Sequence, residues 1–271
     1  MGTKIHTYTS APATSTWPAG NTLTRPTSTQ QAGSMALFMP AWRDYLNIAL
    51  ILAAVVGMLL LVSPARNFPI ADDWCYTQSV DALLNGAYRP HEYSMATGIG
   101  HIGWGALVQL ALGTGFTTLA FANVVMGAAC LVLFYLLLRH LAVPAAWAML
   151  GVAALGVSPM FIYLSYSFIT DVTFVTYSLA ALLCYVRATQ YAQLNQNQVV
   201  ATNLKPGALR VDLWLLAGST LAALAYLTRQ LGLILPVMVL AYLWWSKLNL
   251  SWRRVFVLGA LPVGAAVAFT L

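Results

Sequence analysis

Seven apolar runs, each about as long as a membrane is thick, recur along this chain: residues 44–62, 117–138, 145–165, 168–188, 211–228, 230–247 and 255–271. A helix needs about 20 apolar residues to cross a bilayer, and in hydrocarbon only helices and closed barrels satisfy their own backbone. Composition excludes an ordinary soluble domain: 60% of the residues are hydrophobic and only 7% charged, with a mean hydropathy of +0.73. The expected fold is all-α, a polytopic transmembrane helix bundle of about seven spans over residues 41–271. Because the last run ends at Leu271 without a polar tail, a further C-terminal part of this module is expected to be missing.

Residues 1–40 are rich in Thr, Ser, Pro and Ala and nearly free of charge. Such a segment cannot bury enough surface to order itself, so a disordered cytoplasmic tail is expected. No short apolar core precedes residue 44, and the first span reads as a retained anchor rather than a removable signal. The three cysteines, Cys75, Cys130 and Cys184, form no disulfide framework or zinc motif, and the latter two fall mid-span as small hydrophobes.

Charge orients the bundle. With the N-terminus in the cytoplasm, ten of the thirteen basic residues lie inside, Arg43, Arg139, Arg187, Lys205, Arg210, Lys247, Arg253 and Arg254 among them. Arg66, Arg89 and Arg229 remain outside with five of the seven acids: Asp72, Asp73, Asp81, Glu92 and Asp171. The net charge of +6 is then a topology signal and calls for no nucleic acid. Counting residues 95–113 as a span would send Arg139, Arg187, Lys205 and Arg210 outside, so this Gly-rich stretch reads as a surface helix. A second surface helix is expected over 74–85, where Tyr76, Val80, Leu83 and Leu84 line one side and Thr77, Gln78, Asp81 and Asn85 the other. The outer loop 63–116 is therefore long and helical.

Ionisable residues at span junctions are where function is sought in such a chain. Asp72-Asp73 directly precedes the surface helix. One of the two suffices as a helix cap, leaving a carboxylate that, if desolvated, can act as a general base. Asp171 opens the fourth span beside Thr170, and either can cap it. If functional, Asp171 orients partners rather than attacking. Arg229 joins the fifth and sixth spans. It either snorkels to headgroups or grips a phosphate with its planar fork, and Arg89 and His101 are further candidates of that type. Arg66, just past the first span, reads as an interfacial anchor. Trp104, Tyr163, Tyr166, Trp244, Trp245 and Trp252 read as an aromatic belt. Pro236 is expected to kink the sixth span, and Pro159 to open a cleft near the end of the third.

Three motifs, in this order, resemble those of the GT-C superfamily of membrane glycosyltransferases, in the branch holding protein O-mannosyltransferases and lipid A aminoarabinose transferases. Ala71-Asp72-Asp73-Trp74-Cys75-Tyr76 resembles that family's paired-acid and Tyr signature in the first outer loop. Ser167-Phe168-Ile169-Thr170-Asp171-Val172-Thr173-Phe174 resembles its Thr-Asp motif, and Leu227-Thr228-Arg229-Gln230-Leu231-Gly232 its basic junction. The resemblance covers roughly residues 42–260 and departs where Asp73 stands for the commoner Glu. Relatives also carry further spans and often a soluble outer domain.

The resemblance implies an inverting glycosyltransferase. It would move a sugar from a polyprenyl-phosphate donor to a lipid, glycan or protein acceptor at the outer face of the cell membrane, with the endoplasmic reticulum as the second location. Asp72 would be the base and Arg229 the ligand of the departing lipid phosphate, with Asp73 and Asp171 ordering the site. No cofactor is certain, and a divalent metal is possible but not indicated. Two other classes compete. A transporter or flippase would carry ionisable groups near the membrane midplane, whereas these acids cluster at outer ends. The third class is a non-catalytic membrane partner of this same architecture.

Overall fold

The computed structural model describes residues 40–66, 68–70, 72–86, 91, 93, 98–202, 208–246 and 251–270. The tail expected over residues 1–40, its last residue apart, lies outside the described residues, as do Arg89, Glu92, Lys205 and Lys247. The described residues form α-helices joined by short turns, without a strand. They are α1 (Trp42–Leu61), α2 (Asp73–Leu84), α3 (Ile99–Leu112), α4 (Phe116–His140), α5 (Ala145–Gly156), α6 (Pro159–Tyr166), α7 (Thr170–Thr202), α8 (Ala208–Thr228), α9 (Ile234–Trp245) and α10 (Trp252–Thr270). A 3-10 turn, Gln230–Leu233, leads into α9.

Among the described residues four helices are long and apolar enough to cross a membrane: α1, α4, the Thr170–Leu194 part of α7 and the Leu209–Thr228 part of α8. A fifth arises only if α5 and α6 count together, and these are bent by 64°. The single span expected at 145–165 is thus broken. Pro159, first residue of α6, has no amide to donate and drives the residue before it out of helical space, and Ser158 sits at φ −62°, ψ 122°. The run expected as a sixth span divides into the 3-10 turn and the 12-residue α9. Pro236 falls in the first turn of α9, so the irregularity lies before that helix and not within it.

Helices form in both stretches expected as surface helices. At 12 and 14 residues, α2 and α3 are too short to span the hydrocarbon. Tyr76 and Val80 are buried as expected, but Thr77, assigned to the open side, is buried too, its hydroxyl donating to the Asp73 carbonyl at 2.8 Å. That bond lets Thr77 face the interior without an unsatisfied group.

Three apolar clusters hold the bundle. One joins α7 to α8, α9 and α10 around Tyr185, Leu215 and Leu258. A second joins α2, α3 and the start of α4 around Val80, Ile102, Leu119 and Phe168. The third ties α1 to α4 and α5 around Ile51, Tyr135 and Val152. One end of the bundle closes on the buried Asp44, which accepts hydrogen bonds from Tyr135 Oη at 2.6 Å, Arg139 Nε at 2.7 Å and the Ala41 amide at 2.9 Å. Trp244, Trp245 and Trp252 are all largely exposed, in keeping with an aromatic belt. Trp104, also placed in that belt, instead donates its indole N–H to the Ala122 carbonyl.

Two glycines bring backbones together near Arg229. A Cβ on Gly100 would stand 2.7 Å from the Leu224 carbonyl oxygen, and one on Gly232 would collide with the backbone of Ala225 and Tyr226. The 3-10 turn therefore lies directly against the end of α8. Gly232→Ala is expected to lower stability by about 1–3 kcal/mol through overpacking. In a detergent melt, Gly57→Ala serves as control, since a Cβ at Gly57 meets nothing within 4 Å.

Candidate functional site

The chain folds back between α1 and α2 through Pro64 and Pro69. This return is fixed by Arg66, whose amide donates to Thr117 Oγ1 at 3.1 Å and whose carbonyl accepts from that hydroxyl at 2.9 Å. The Arg66 side chain lies inside the protein, 7% exposed, with Nη2 2.5 Å from Asp73 Oδ2. Its Nε and Nη1 are buried and find no partner among the described residues. Arg66 is accordingly not the interfacial anchor expected from its position beside a span.

The two acids of the pair occupy different environments. Asp73 is fully buried, and its Oδ1 accepts the Ile70 amide at 2.7 Å. Burial pushes the Asp73 carboxyl up, while Arg66 and the Ile70 and Phe168 backbone pull it back in part. Asp72 precedes the helix in the cap position, is exposed, and makes no side-chain capping bond. The desolvation expected of the free carboxylate thus falls on the second acid, and the first faces solvent.

Phe168 links this pair to the second motif. Its ring stacks on His101, centroids 3.9 Å apart, and the opposite contact of His101 is edge-on to Tyr76 at 5.5 Å. His101 Nδ1 lies 2.9 Å from Thr173 Oγ1, which donates to Asn123 Oδ1 at 3.1 Å. Asn123 in turn donates to the carbonyls of Leu164 and Ser167. His101 is fully buried, and burial, with Arg229 adding to it, lowers its pKa to about 3. A neutral imidazole sealed in the interior offers no charge to a phosphate, so His101 joins the frame of the site and not its ligands.

At the head of α7, Asp171 Oδ2 pairs with Arg229 Nη2 at 2.8 Å, and Thr170 Oγ1 accepts from Arg229 Nε at 3.0 Å. Both charged side chains are about one-third exposed, 33% and 35%, so the pair is worth about 0.5–1 kcal/mol at most. Its value is geometric: the guanidinium is held by two neighbours while part of it faces outward. Arg229 is extended, at φ −146°, ψ 135°, between α8 and the 3-10 turn.

The structure thus brings Asp73, Tyr76, His101, Asp171 and Arg229 to one end of the bundle through Phe168 and Thr173, with Asp72 on its surface. Arg89 lies outside the described residues. Sequence reasoning missed Arg66, Phe168, Thr173 and Asn123. Alongside α2 runs a cleft of about 490 Å³ whose lining includes Trp74, Gln78, Asp81, Asn85 and Thr114. Trp74 also meets His91 edge-on at 4.7 Å. Among the described residues no three His, Cys, Asp or Glu side chains are grouped to hold a metal ion.

His101 makes stability depend on pH. Its folded pKa near 3 lies below the unfolded value of 6.5, so the unfolded chain binds the proton more readily between them, and stability is lost as pH falls below about 6.5. By pH 5 this amounts to about 2 kcal/mol. Melting in detergent at pH 7.5 and 5.0 is expected to show the loss, and His101→Asn, which does not titrate, to remove that share of it.

No family model matches the chain, and neither a curated protein nor a solved structure matches it.

Proposed function

We propose that this protein is an inverting membrane glycosyltransferase using a polyprenyl-phosphate sugar donor, with a lipid, glycan or protein as acceptor. The observation that carries the reading is the convergence of three junctions far apart in sequence on one end of the helix bundle. There an exposed Asp72 stands over a buried Arg66–Asp73 pair, and Asp171 and Thr170 hold Arg229 part-exposed. The same three junctions carry the resemblance to the GT-C superfamily. In this reading α9 with its 3-10 turn and α10 complete seven crossings. The N-terminus lies in the cytoplasm and the site on the outer face of the cell membrane.

The chemistry assigns one task to each group. Asp72 takes the proton from the acceptor oxygen or nitrogen as that atom bonds to the anomeric carbon. The bond from that carbon to the phosphate oxygen breaks from the opposite face, and the configuration inverts. The leaving lipid phosphate gathers negative charge, which Arg229 meets with its guanidinium. Trp74, Gln78, Asp81 and Asn85, lining the cleft along α2, supply an aromatic face and hydrogen-bonding groups of the sort that fix a polar ligand's orientation. Among the described spans Asp44, Arg139 and Asp171 sit in terminal turns, while Arg187 lies about two turns inside the apolar part of α7 that ends at Leu194; the site's own charges, Asp171 and Arg229, are at helix ends, which favours this reading over a transporter.

The test uses the full chain in nanodiscs, titrated with polyprenyl-phosphate sugars and read by release of polyprenyl phosphate. Wild type is expected to bind and turn over a donor. Asp72→Asn is expected to bind it and turn over about 10²–10⁴-fold more slowly, the usual contribution of a general base. A wild type that neither binds nor releases any donor, or an Asp72→Asn chain as fast as wild type, would sink the proposal.

A further inference from the structure

Where α7 and α8 pack together at the end remote from Asp171 and Arg229, two arginines are held in a reciprocal arrangement. The Arg187 guanidinium of α7 stands 4.8 Å from the centre of the Trp214 ring of α8, and the Arg210 guanidinium of α8 stands 5.9 Å from that of Tyr191 of α7. Residues 187 and 191 are one turn apart on α7, as are 210 and 214 on α8. The two contacts are therefore successive rungs of one seam, about 6 Å apart along it. Trp214 and Tyr191 pack in turn against the core around Tyr185, Val211 and Leu215, so the rings that carry the cations are themselves fixed.

Neither arginine has a carboxylate to neutralise it. Among the described residues Asp44 pairs with Arg139, Asp73 with Arg66, Asp171 with Arg229 and Asp212 with Arg254, and no acid pairs with Arg187 or Arg210. Arg187 Nε donates to His140 Nε2 at 3.1 Å, a neutral partner that leaves the charge in place. Stacking occupies the face of a guanidinium and leaves the N–H groups on its edge for an oxyanion. Both side chains are within reach of a ligand, Arg187 being part-buried and Arg210 exposed.

Depth selects the ligand. Arg187 lies about 24 Å along α7 from Asp171, and Arg210 about 28 Å along α8 from Arg229, against a hydrocarbon thickness of about 30 Å. With Asp171 and Arg229 at one boundary of the bilayer, the two cations come to the other, and a long side chain such as Arg187 extends from within the apolar part to the headgroups. The anion abundant at that depth is lipid phosphate, which a guanidinium fork grips through charge-assisted hydrogen bonds. Two uncompensated cations favour a headgroup of net negative charge over a choline headgroup, which brings a cation of its own.

We propose that the Arg187–Arg210 seam between α7 and α8 binds the phosphate of an anionic glycerophospholipid in the leaflet remote from the Asp171–Arg229 site. The assignment rests on the chain's crossing of the membrane and is independent of the glycosyltransferase reading.

The test is native mass spectrometry of the full chain in neutral detergent, titrated with phosphatidylglycerol, with phosphatidylcholine of the same acyl chains and with inorganic phosphate. Wild type is expected to bind phosphatidylglycerol about tenfold more tightly than phosphatidylcholine. Arg210→Gln, a change at an exposed side chain, is expected to weaken phosphatidylglycerol about fivefold, and its combination with Arg187→Gln about twenty-five-fold, as about 1 kcal/mol for each basic group at an anionic surface implies. Arg43→Gln and Arg253→Gln remove other exposed arginines and are expected to leave the affinity within about twofold of wild type. Equal binding of the two lipids by wild type overturns the proposal. Losses at Arg43 or Arg253 as large as the loss at Arg210 reduce it to diffuse surface charge and likewise end it. If inorganic phosphate binds as tightly as phosphatidylglycerol, the seam is a site for a soluble phosphate and the lipid assignment fails.

Discussion

Asp73→Asn is expected to destabilise the protein by about 3–5 kcal/mol, while its neighbour Asp72→Asn stays within about 0.5 kcal/mol of wild type. The difference follows from burial. Removing the Asp73 charge leaves the Arg66 guanidinium, 7% exposed, as an uncompensated cation, with Nε and Nη1 already without partners among the described residues. Asp72 makes no side-chain bond within its helix cap and faces solvent, so its loss leaves packing intact and, in the proposed reading, removes the base. Unfolding in mixed micelles, run beside the donor-release assay, separates the two roles. Asp73→Asn with Arg66→Met is expected to recover part of the stability, because an apolar pair replaces a stranded charge. If instead both single variants retain full stability and differ only in turnover, Asp73 takes part in the chemistry and the structural role assigned to it here is wrong.

The second large effect lies at the opposite end of the bundle. Asp44 is 1% exposed and receives Tyr135 Oη, Arg139 Nε and the Ala41 amide, while Tyr135 Oη itself accepts from Asn47 Nδ2 at 2.8 Å. The cluster ties α1 to α4 across residues ninety apart in sequence. Asp44→Asn is expected to lower stability by about 3–5 kcal/mol, and Tyr135→Phe by about 1–3 kcal/mol, since both Asp44 and Asn47 then lose a partner. A double-mutant cycle on Asp44 and Arg139 is expected to give a coupling above about 0.5 kcal/mol. Additivity of the two changes would mean that α1 is held by apolar contact with α4 and α5 alone.

What could be read from the chain divides by physical range. Helices α1, α4 and α8 lie close to their expected limits because a long apolar run constrains a segment by its own length, whereas α7, expected over 168–188, continues to Thr202 because a helix can run on into polar sequence that leaves no apolar trace. The turn at Pro159 was visible as a proline, yet the angle it imposes depends on where α6 packs. Arg66 was misread because a basic residue beside a span end is ordinarily interfacial, and only the return through Pro64 and Pro69 brings it to Asp73. His101 shows the same limit. A ring that is polar on paper sits between Phe168 and Tyr76, and the available signal was its glycine neighbours Gly100 and Gly105, where a Cβ would meet Leu224 and Thr228 or Phe168 and Leu119, so that helices close around it. The three junction motifs were legible as separate points. Their joining through Phe168, Thr173 and Asn123 was not, because hydrogen bonds across forty to seventy residues leave no periodic trace.

The length of α7 has a mechanical meaning. Its 33 residues make one rod of about 50 Å, which begins at the Thr170-Asp171 grip on Arg229 and continues past the apolar part ending at Leu194 as far as Thr202. The last eight residues stand about 12 Å beyond that part. A rod of this kind has the geometry of a lever: a tilt of a few degrees where Asp171 holds Arg229 corresponds to a displacement of several ångströms at Thr202, which in the proposed orientation lies on the cytoplasmic side.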